Sequence, residues 1–324
     1  MASVIVTGAE GFIGKSLVKY LWESGYTVIG TSRNPENIND ISKRYVHEWI
    51  KCDFDDSTEV EADKIRKADY LVHLAGLAHA TGISSYKRYH DINVKGTELL
   101  LDIAAGSNLK RFVFLSTIKV ISGDQKKNPT AGVVEHLSSG PDSFYGQSKL
   151  EAENQVRVLA SGYNIRYTIL RPPLVFGPGV KANFLSLLKI LKLGIPLPLG
   201  SVETARSLIY VDNLSGIIEK CMVHPAAAGQ TYVVKDITLS VPSLIKQISH
   251  LMGHKPLLFP FPVKLLRLAG IITGKSSIVD ALTGSLEIND DKIRKELDWS
   301  SEISFDEALK ETVNWYLEEY KDEH

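Results

Sequence analysis

The chain has 324 residues, 44% hydrophobic and 23% charged, with a formal net charge of -1. At roughly 150 residues per domain it has room for about two domains, and its balanced charge gives no general attraction to nucleic acid or to an anionic membrane. Cys52 and Cys221 lie far apart, without CxxC spacing or a histidine cluster, which excludes a zinc site or a disulfide framework. No apolar run reaches the roughly 18 residues of a membrane span, and no basic leader precedes the first apolar run, so a cytoplasmic protein is expected.

The first half alternates short β-branched runs with longer helical patterns. "SVIVT" (3–7), "TVIGTS" (27–32), "DYLVHLA" (69–75), "RFVFLS" (111–116) and "RYTILR" (166–171) read as strands. Strands separated by helices predict an α/β fold, a doubly wound parallel Rossmann sheet. Between the first two, Ile13, Leu17 and Leu21 recur every fourth residue and Gly25 follows as a C-cap, which completes one βαβ unit by residue 32.

Directly after the first strand, "TGAEGFIG" sets Gly8, Gly11 and Gly14 in GxxGxxG spacing at a helix start. Glycine permits the tight turn and the close approach of a pyrophosphate, whose charge meets the free N–H groups and positive dipole end of the helix. A dinucleotide, NAD or NADP, is the expected cofactor. Where a second strand ends in an acidic residue when the ribose keeps its 2′-hydroxyl, this chain reads Thr31, Ser32, Arg33; the arginine either pairs with a 2′-phosphate or is solvated beside NAD. Asp53 and Phe54, after the third strand, either meet the adenine or form an ordinary turn.

Tyr145 and Lys149 stand four residues apart where a helix begins, so both project from one face. Thr117, at the end of the "FLSTIK" strand, would face Tyr145 across the cleft where open α/β sheets bind ligands. A phenol of pKa ~10 becomes a usable base if Lys149 and a positive nicotinamide lower its pKa. Beyond "RPPLVFGPG" (171–179), prolines and glycines cluster and a smaller mixed α/β substrate lobe is expected, with a helix from Phe184 to Leu193. The division expected is 1–171 plus about 206–236 for the dinucleotide, and about 172–205 plus 237–324 for the substrate. In the tail, Ser304 and Glu307 have capping-box spacing, and Leu309, Val313, Tyr316 and Tyr320 make one face of a closing helix.

Together the GxxGxxG turn, "HLAG" (73–76), "NVKGT" (93–97), Thr117, YxxxK and "RPPLVFGPG" resemble, over almost the whole chain, the extended short-chain dehydrogenase/reductase family in its nucleotide-sugar epimerase/dehydratase branch. The resemblance implies that Phe12, Ile13, Leu74, Ala75, Gly76 and Pro172 join the glycines at the cofactor. It makes Tyr145 the acid–base group, has Thr117 hydrogen-bond the reacting oxygen, and has Lys149 hold the nicotinamide ribose. Dehydratases of the branch carry an Asp-Glu pair after the threonine; here Ile118 and Lys119 stand there, so sugar dehydration is disfavoured. The readings left are a nucleotide-sugar 4-epimerase, a one-way 4-ketosugar reductase for surface polysaccharide synthesis, and a non-catalytic dinucleotide sensor. The resemblance gives Arg206, in "ETARSLIYVDN", the substrate diphosphate, or else a surface salt bridge; it gives Asn183 the same diphosphate, or else a helix cap. Lys119 either approaches the sugar or is solvated. His73 and His79 are expected to be structural. Relatives of the UDP-galactose type carry arginine and aspartate near Gly284–Asp290, where this chain has Ser285 and Leu286, so a UDP-N-acetylhexosamine is as much implied as a UDP-hexose. Dimerisation through the YxxxK helix is implied by the resemblance alone.

Overall fold

A computed structural model describes residues 1–38, 41–54, 60–78, 85–121, 141, 143–272, 279, 283–284 and 286–321. His79 and Ser285 lie outside the described residues. The chain opens with β1 (Ser3–Thr7), α1 (Phe12–Glu23), β2 (Thr27–Ser32) and β3 (Glu48–Lys51). α1 forms because Leu17, Val18 and Leu21 share one buried face, each side chain contributing about 1.5–3 kcal/mol on burial. It ends where Gly25 takes φ +84, the left-handed conformation a helix C-terminus favours.

There follow α2 (Ala62–Lys67), β4 (Tyr70–His73), α3 (Tyr86–Tyr89), a π-helical stretch from His90 to Lys95, α4 (Gly96–Ala104) and β5 (Arg111–Leu115). Next come α5 (Phe144–Gly162), β6 (Tyr167–Arg171), β7 (Leu174–Phe176), α6 (Ala182–Lys192), β8 (Ala205–Tyr210) and α7 (Val211–Val223). β9 (Gln230–Val233), β10 (Ile237–Ser240), α8 (Val241–Leu251), α9 (Val263–Ile272), α10 (Asp291–Leu297) and α11 (Phe305–Glu319) complete it.

Seven strands form one sheet in the order β3-β2-β1-β4-β5-β6-β9, every pair parallel. This is the expected doubly wound sheet. Its strand order reverses between β1 and β4, so the carboxyl ends of those strands open a crevice there. β1, β4 and β5 are almost wholly buried and correspondingly apolar, as a parallel sheet covered on both faces requires.

The small lobe carries a mixed sheet, β10-β8-β7, with β8 antiparallel to β10 and parallel to β7. β8 opens the 206–236 segment expected to serve the dinucleotide, yet it pairs in this small sheet. α7 and β9 from the same segment go to the large one, where Ser16 of α1 donates to Asp212 of α7 at 2.5 Å. α11 closes the small lobe as expected: Ser304 caps it by accepting from the Glu307 N–H, and Leu309, Val313 and Tyr316 are buried in that lobe's core.

Candidate active site

The glycine turn fits the pyrophosphate of a dinucleotide. Gly8 has φ +72, and a Cβ on it would lie 2.8 Å from the Ala75 nitrogen. A Cβ on Gly14 would fall 2.1 Å from the Gly8 carbonyl oxygen, and one on Gly11 3.1 Å from the same oxygen. The chain therefore doubles back at a spacing that side chains forbid. α1 starts from Gly11 without a side-chain cap, which leaves its first N–H groups for an anion. Phe12 lies 3.7 Å from where a Cβ on Gly179 would stand, and both Phe12 and Ile13 pack against the small lobe's core.

The second wall of the crevice is the segment after β4. Leu74 N–H donates to the Thr7 carbonyl at 3.2 Å, and Ala75 N–H to the Thr7 hydroxyl at 3.2 Å. His73 is fully buried between Thr7 (2.7 Å) and Thr97 (3.1 Å), with its pKa driven well below the ordinary value by burial and by Lys149. Both ring nitrogens thus have hydroxyl partners. Gly76 is exposed, and a Cβ there would lie 3.0 Å from Asn93 Oδ1 and 4.0 Å from Lys149 Nζ, so this loop runs between the glycine turn and the lysine.

Arg33 is exposed just past β2, and Asp53 is half-buried past β3. The Phe54 ring turns inward, edge-on to His73 at 5.6 Å and against Gly96. Its packing is therefore that of a wall residue.

The catalytic candidates converge beyond the end of β5. Ser143 caps α5 by accepting the Gly146 N–H at 3.1 Å, a contact worth about 1 kcal/mol, and this fixes the first turn that carries Tyr145. Thr117 is buried, and its hydroxyl stands near enough to the Tyr145 phenol to draw that group's pKa down. The backbone behind it is tied down, since Ile118 N–H donates to the Pro172 carbonyl at 3.0 Å. Lys149, one turn further along α5, is 3% exposed, with its Nζ 3.9 Å from the centre of the Phe114 ring. Lys119 is exposed, and its ammonium stands 5.6 Å from the centre of the Tyr145 ring.

Burial sets the charge state of both groups in the protein without a dinucleotide. Tyr145 is half-buried by area, but its phenol is desolvated and its pKa is pushed up to about 12, the nearby Thr117 hydroxyl offsetting burial only in part and Tyr89 adding to the rise. Burial likewise draws Lys149 down to about 7, against the opposing pull of Glu153. Loss of water is the largest influence on each, favouring the neutral phenol and the neutral amine.

The residues missed in the sequence lie behind this set. Glu153, four residues beyond Lys149 on the same face, is completely buried. It accepts from Ser116 (2.6 Å), from Arg171 Nε (2.8 Å) and Nη2 (2.6 Å), and from Arg157 (2.8 Å). Burial is the largest influence and works to raise its pKa, but the bonds and charge of Arg171 together with Ser116 and Arg157 hold it below the ordinary carboxylate value. Asn93, in the π-helical stretch, accepts from Leu77 N–H at 2.7 Å and donates to Ser148 at 2.9 Å, joining the β4 loop to α5. The signals were present, a Tyr-Lys-Glu column at i, i+4, i+8 and the first residue of "NVKGT", but nothing in the sequence marked them as buried.

Arg206 lies in β8, where burial lowers its pKa. Its strand is met by Leu286, whose N–H donates to the Ala205 carbonyl and whose carbonyl accepts the Ser207 N–H, both at 2.8 Å. Asn183 is exposed in the first turn of α6 and does not cap it, because the N-cap position is Lys181. Among the described residues no His, Cys, Asp or Glu cluster could hold a metal ion.

A family model described as NAD dependent epimerase/dehydratase family matches residues 4–234. The chain is 34% identical over 323 residues to a UDP-glucose 4-epimerase of Vibrio cholerae, covering 98% of this chain and 96% of that one. It is 26% identical over 295 residues to the N-acetyl-alpha-D-glucosaminyl-diphospho-ditrans,octacis-undecaprenol 4-epimerase of Escherichia coli O157:H7, covering 86% and 83%. The crystal structure of a UDP-N-acetylglucosamine 4-epimerase from Bacillus cereus matches with a TM-score of 0.78 at 21% identity, over 98% of this chain and 99% of that one. That last likeness is one of fold.

Proposed function

The chain belongs to the NAD dependent epimerase/dehydratase family, and from that premise we propose that it is a nucleotide-sugar 4-epimerase. Its substrate is a UDP-hexose or UDP-N-acetylhexosamine, and Tyr145 is its acid–base group. The observation that carries this reading is the meeting of Thr117, Tyr145 and Lys149 beside a glycine turn shaped for a dinucleotide. The 34% identity to a UDP-glucose 4-epimerase supports the reaction class.

A bound dinucleotide would supply the hydride acceptor and donor for the sugar C4. Gly8, Gly11, Gly14 and the first turn of α1 hold its pyrophosphate, Leu74 to Gly76 and Pro172 line its path, and Lys149 reaches the ribose. Tyr145 removes the proton of the C4 hydroxyl and gives it back to the C4 oxygen when the hydride returns to the opposite face of that carbon. Its phenol, at about 12 in the protein alone, needs a further positive charge beside it to work near neutral pH, so proton removal is confined to the loaded enzyme. Thr117 donates to the reacting oxygen. Arg206, already stripped of water, pairs with the diphosphate, where a charge-assisted bond is strongest. No carboxylic acid stands after Thr117, because Ile118 and Lys119 occupy those positions, so the route stops at epimerisation.

The test is to denature the purified protein, identify any released dinucleotide by chromatography, and measure the emptied protein's affinity for NAD and NADPH. Tightly retained NAD supports an epimerase that recycles its cofactor and removes the 2′-phosphate role from Arg33. An empty protein preferring NADPH favours the one-way reductase.

A further inference from the structure

Charge is unevenly placed along a chain whose total is near zero. From residue 237 to 284, Lys246, Lys255, Lys264, Arg267 and Lys275 stand against a single acid, Asp280; the next acid, Glu287, lies beyond them. Residues 172–202 add three lysines and no acid, although two of these, Lys189 and Lys192, lie against Tyr320 at the end of α11.

The same segments hold most of the large apolar side chains left exposed. On α9, Val263 and Leu266 pack into the small lobe's core. Leu265, Leu268 and Ile272, three and four residues apart on the other face, are 50%, 51% and 76% exposed. Lys264 and Arg267 are exposed alongside them. Just before α9, Phe259 N–H donates to the Leu197 carbonyl at 3.1 Å and Leu197 N–H to the Leu257 carbonyl at 2.7 Å. This pairing sets exposed Ile195 and Leu257 together with Lys255 around one small cavity.

We propose that this face of the small lobe docks on an anionic phospholipid bilayer, with α9 lying in the interface. A contiguous exposed apolar patch marks an interaction surface. What selects lipid is that the charged side chains shown exposed beside these apolar ones, Lys255, Lys264 and Arg267, are all basic: apolar side chains reach the acyl boundary while lysine and arginine stay among anionic headgroups, as on an interfacial helix. Among the described residues no helix is long and apolar enough to cross a membrane, so the contact is peripheral. A net charge of -1 argued against attraction to such a surface, but that total averages over this segregation. The proposal stands apart from the reaction at Tyr145.

The test is sedimentation of the full-length protein with vesicles of phosphatidylcholine alone or mixed with phosphatidylglycerol, at low and high salt. The expected result is co-sedimentation with the anionic vesicles only, weakening with salt, lost in Leu268→Glu/Ile272→Glu, and weakened roughly fivefold per neutralised lysine in Lys255→Gln/Lys264→Gln. Both variants alter exposed side chains, and unchanged melting and turnover of a soluble substrate would show that they fold. Absence of binding to anionic vesicles, equal binding by both variants and the parent, or a dimer by light scattering that Leu268→Glu/Ile272→Glu dissociates would each overturn it, the last by identifying a second copy as the occupant.

Discussion

Replacing Glu153 with glutamine tests whether the buried carboxylate holds the catalytic helix in register. The side chain is fully buried, and Arg171, whose own side chain is 5% exposed, places two nitrogens on it. Glutamine keeps the shape and one acceptor oxygen but strands the Arg171 guanidinium without its counter-charge. Removing one partner of a buried pair costs about 3–5 kcal/mol, and the surviving amide contact argues for the lower end. At roughly 2 °C per kcal/mol for a large chain, the melting temperature should fall by about 6 °C. The pH dependence has a definite sign: the folded carboxyl is held below its ordinary value, so its contribution is present above the unfolded pKa of about 4.3 and is lost as pH falls through the folded pKa. Thermal melts of both proteins from neutral to acid pH should show a gap that is constant at neutral pH and closes in acid. A variant melting with the parent at neutral pH, or a gap that persists in acid, would refute the reasoning.

Tyr145→Phe should lower turnover by about a hundred- to ten-thousand-fold while leaving the bound dinucleotide in place, read as activity against cofactor released on denaturation; undiminished turnover would remove Tyr145 from the chemistry. Gly14→Ala puts a methyl 2.1 Å from the Gly8 oxygen and 2.7 Å from the Ala9 Cα, so the turn must open, and calorimetric titration should find dinucleotide affinity lost. Arg206→Met keeps the apolar stem and removes the charge; KM for the nucleotide sugar should rise about ten- to a hundredfold, the weight of a bond to a charged group, with kcat changed far less.

Much of this was legible in the sequence. The five strands that were predicted lie where β1, β2, β4, β5 and β6 form, because a parallel sheet covered on both faces demands unbroken apolar runs. β3, "EWIK", was implied only by the place given to Asp53 and Phe54 after a third strand and was not read from its own pattern, because only Ile50 in it is fully buried. Where β8 pairs could not be read from the sequence, because partners about 30 residues away in β7 and β10 decide that and local pattern does not carry it. The Tyr145–Lys149 spacing was readable, whereas the electrostatic balance was not: the loss of water around both groups depends on what β5 and the β4 loop stack against them. Glu153 and Asn93 went unread for the same reason, since their ties run to Arg171 and Leu77, supplied by other elements.

The most direct test of the account is to supply the nucleotide sugar with deuterium at C4 and follow both C4 epimers by proton NMR in ordinary water. The account predicts equilibration of the two epimers without added cofactor, with deuterium kept at C4, because the hydride leaves and returns to the same carbon. Loss of the label to solvent, or turnover only in the presence of stoichiometric NADPH, would contradict it.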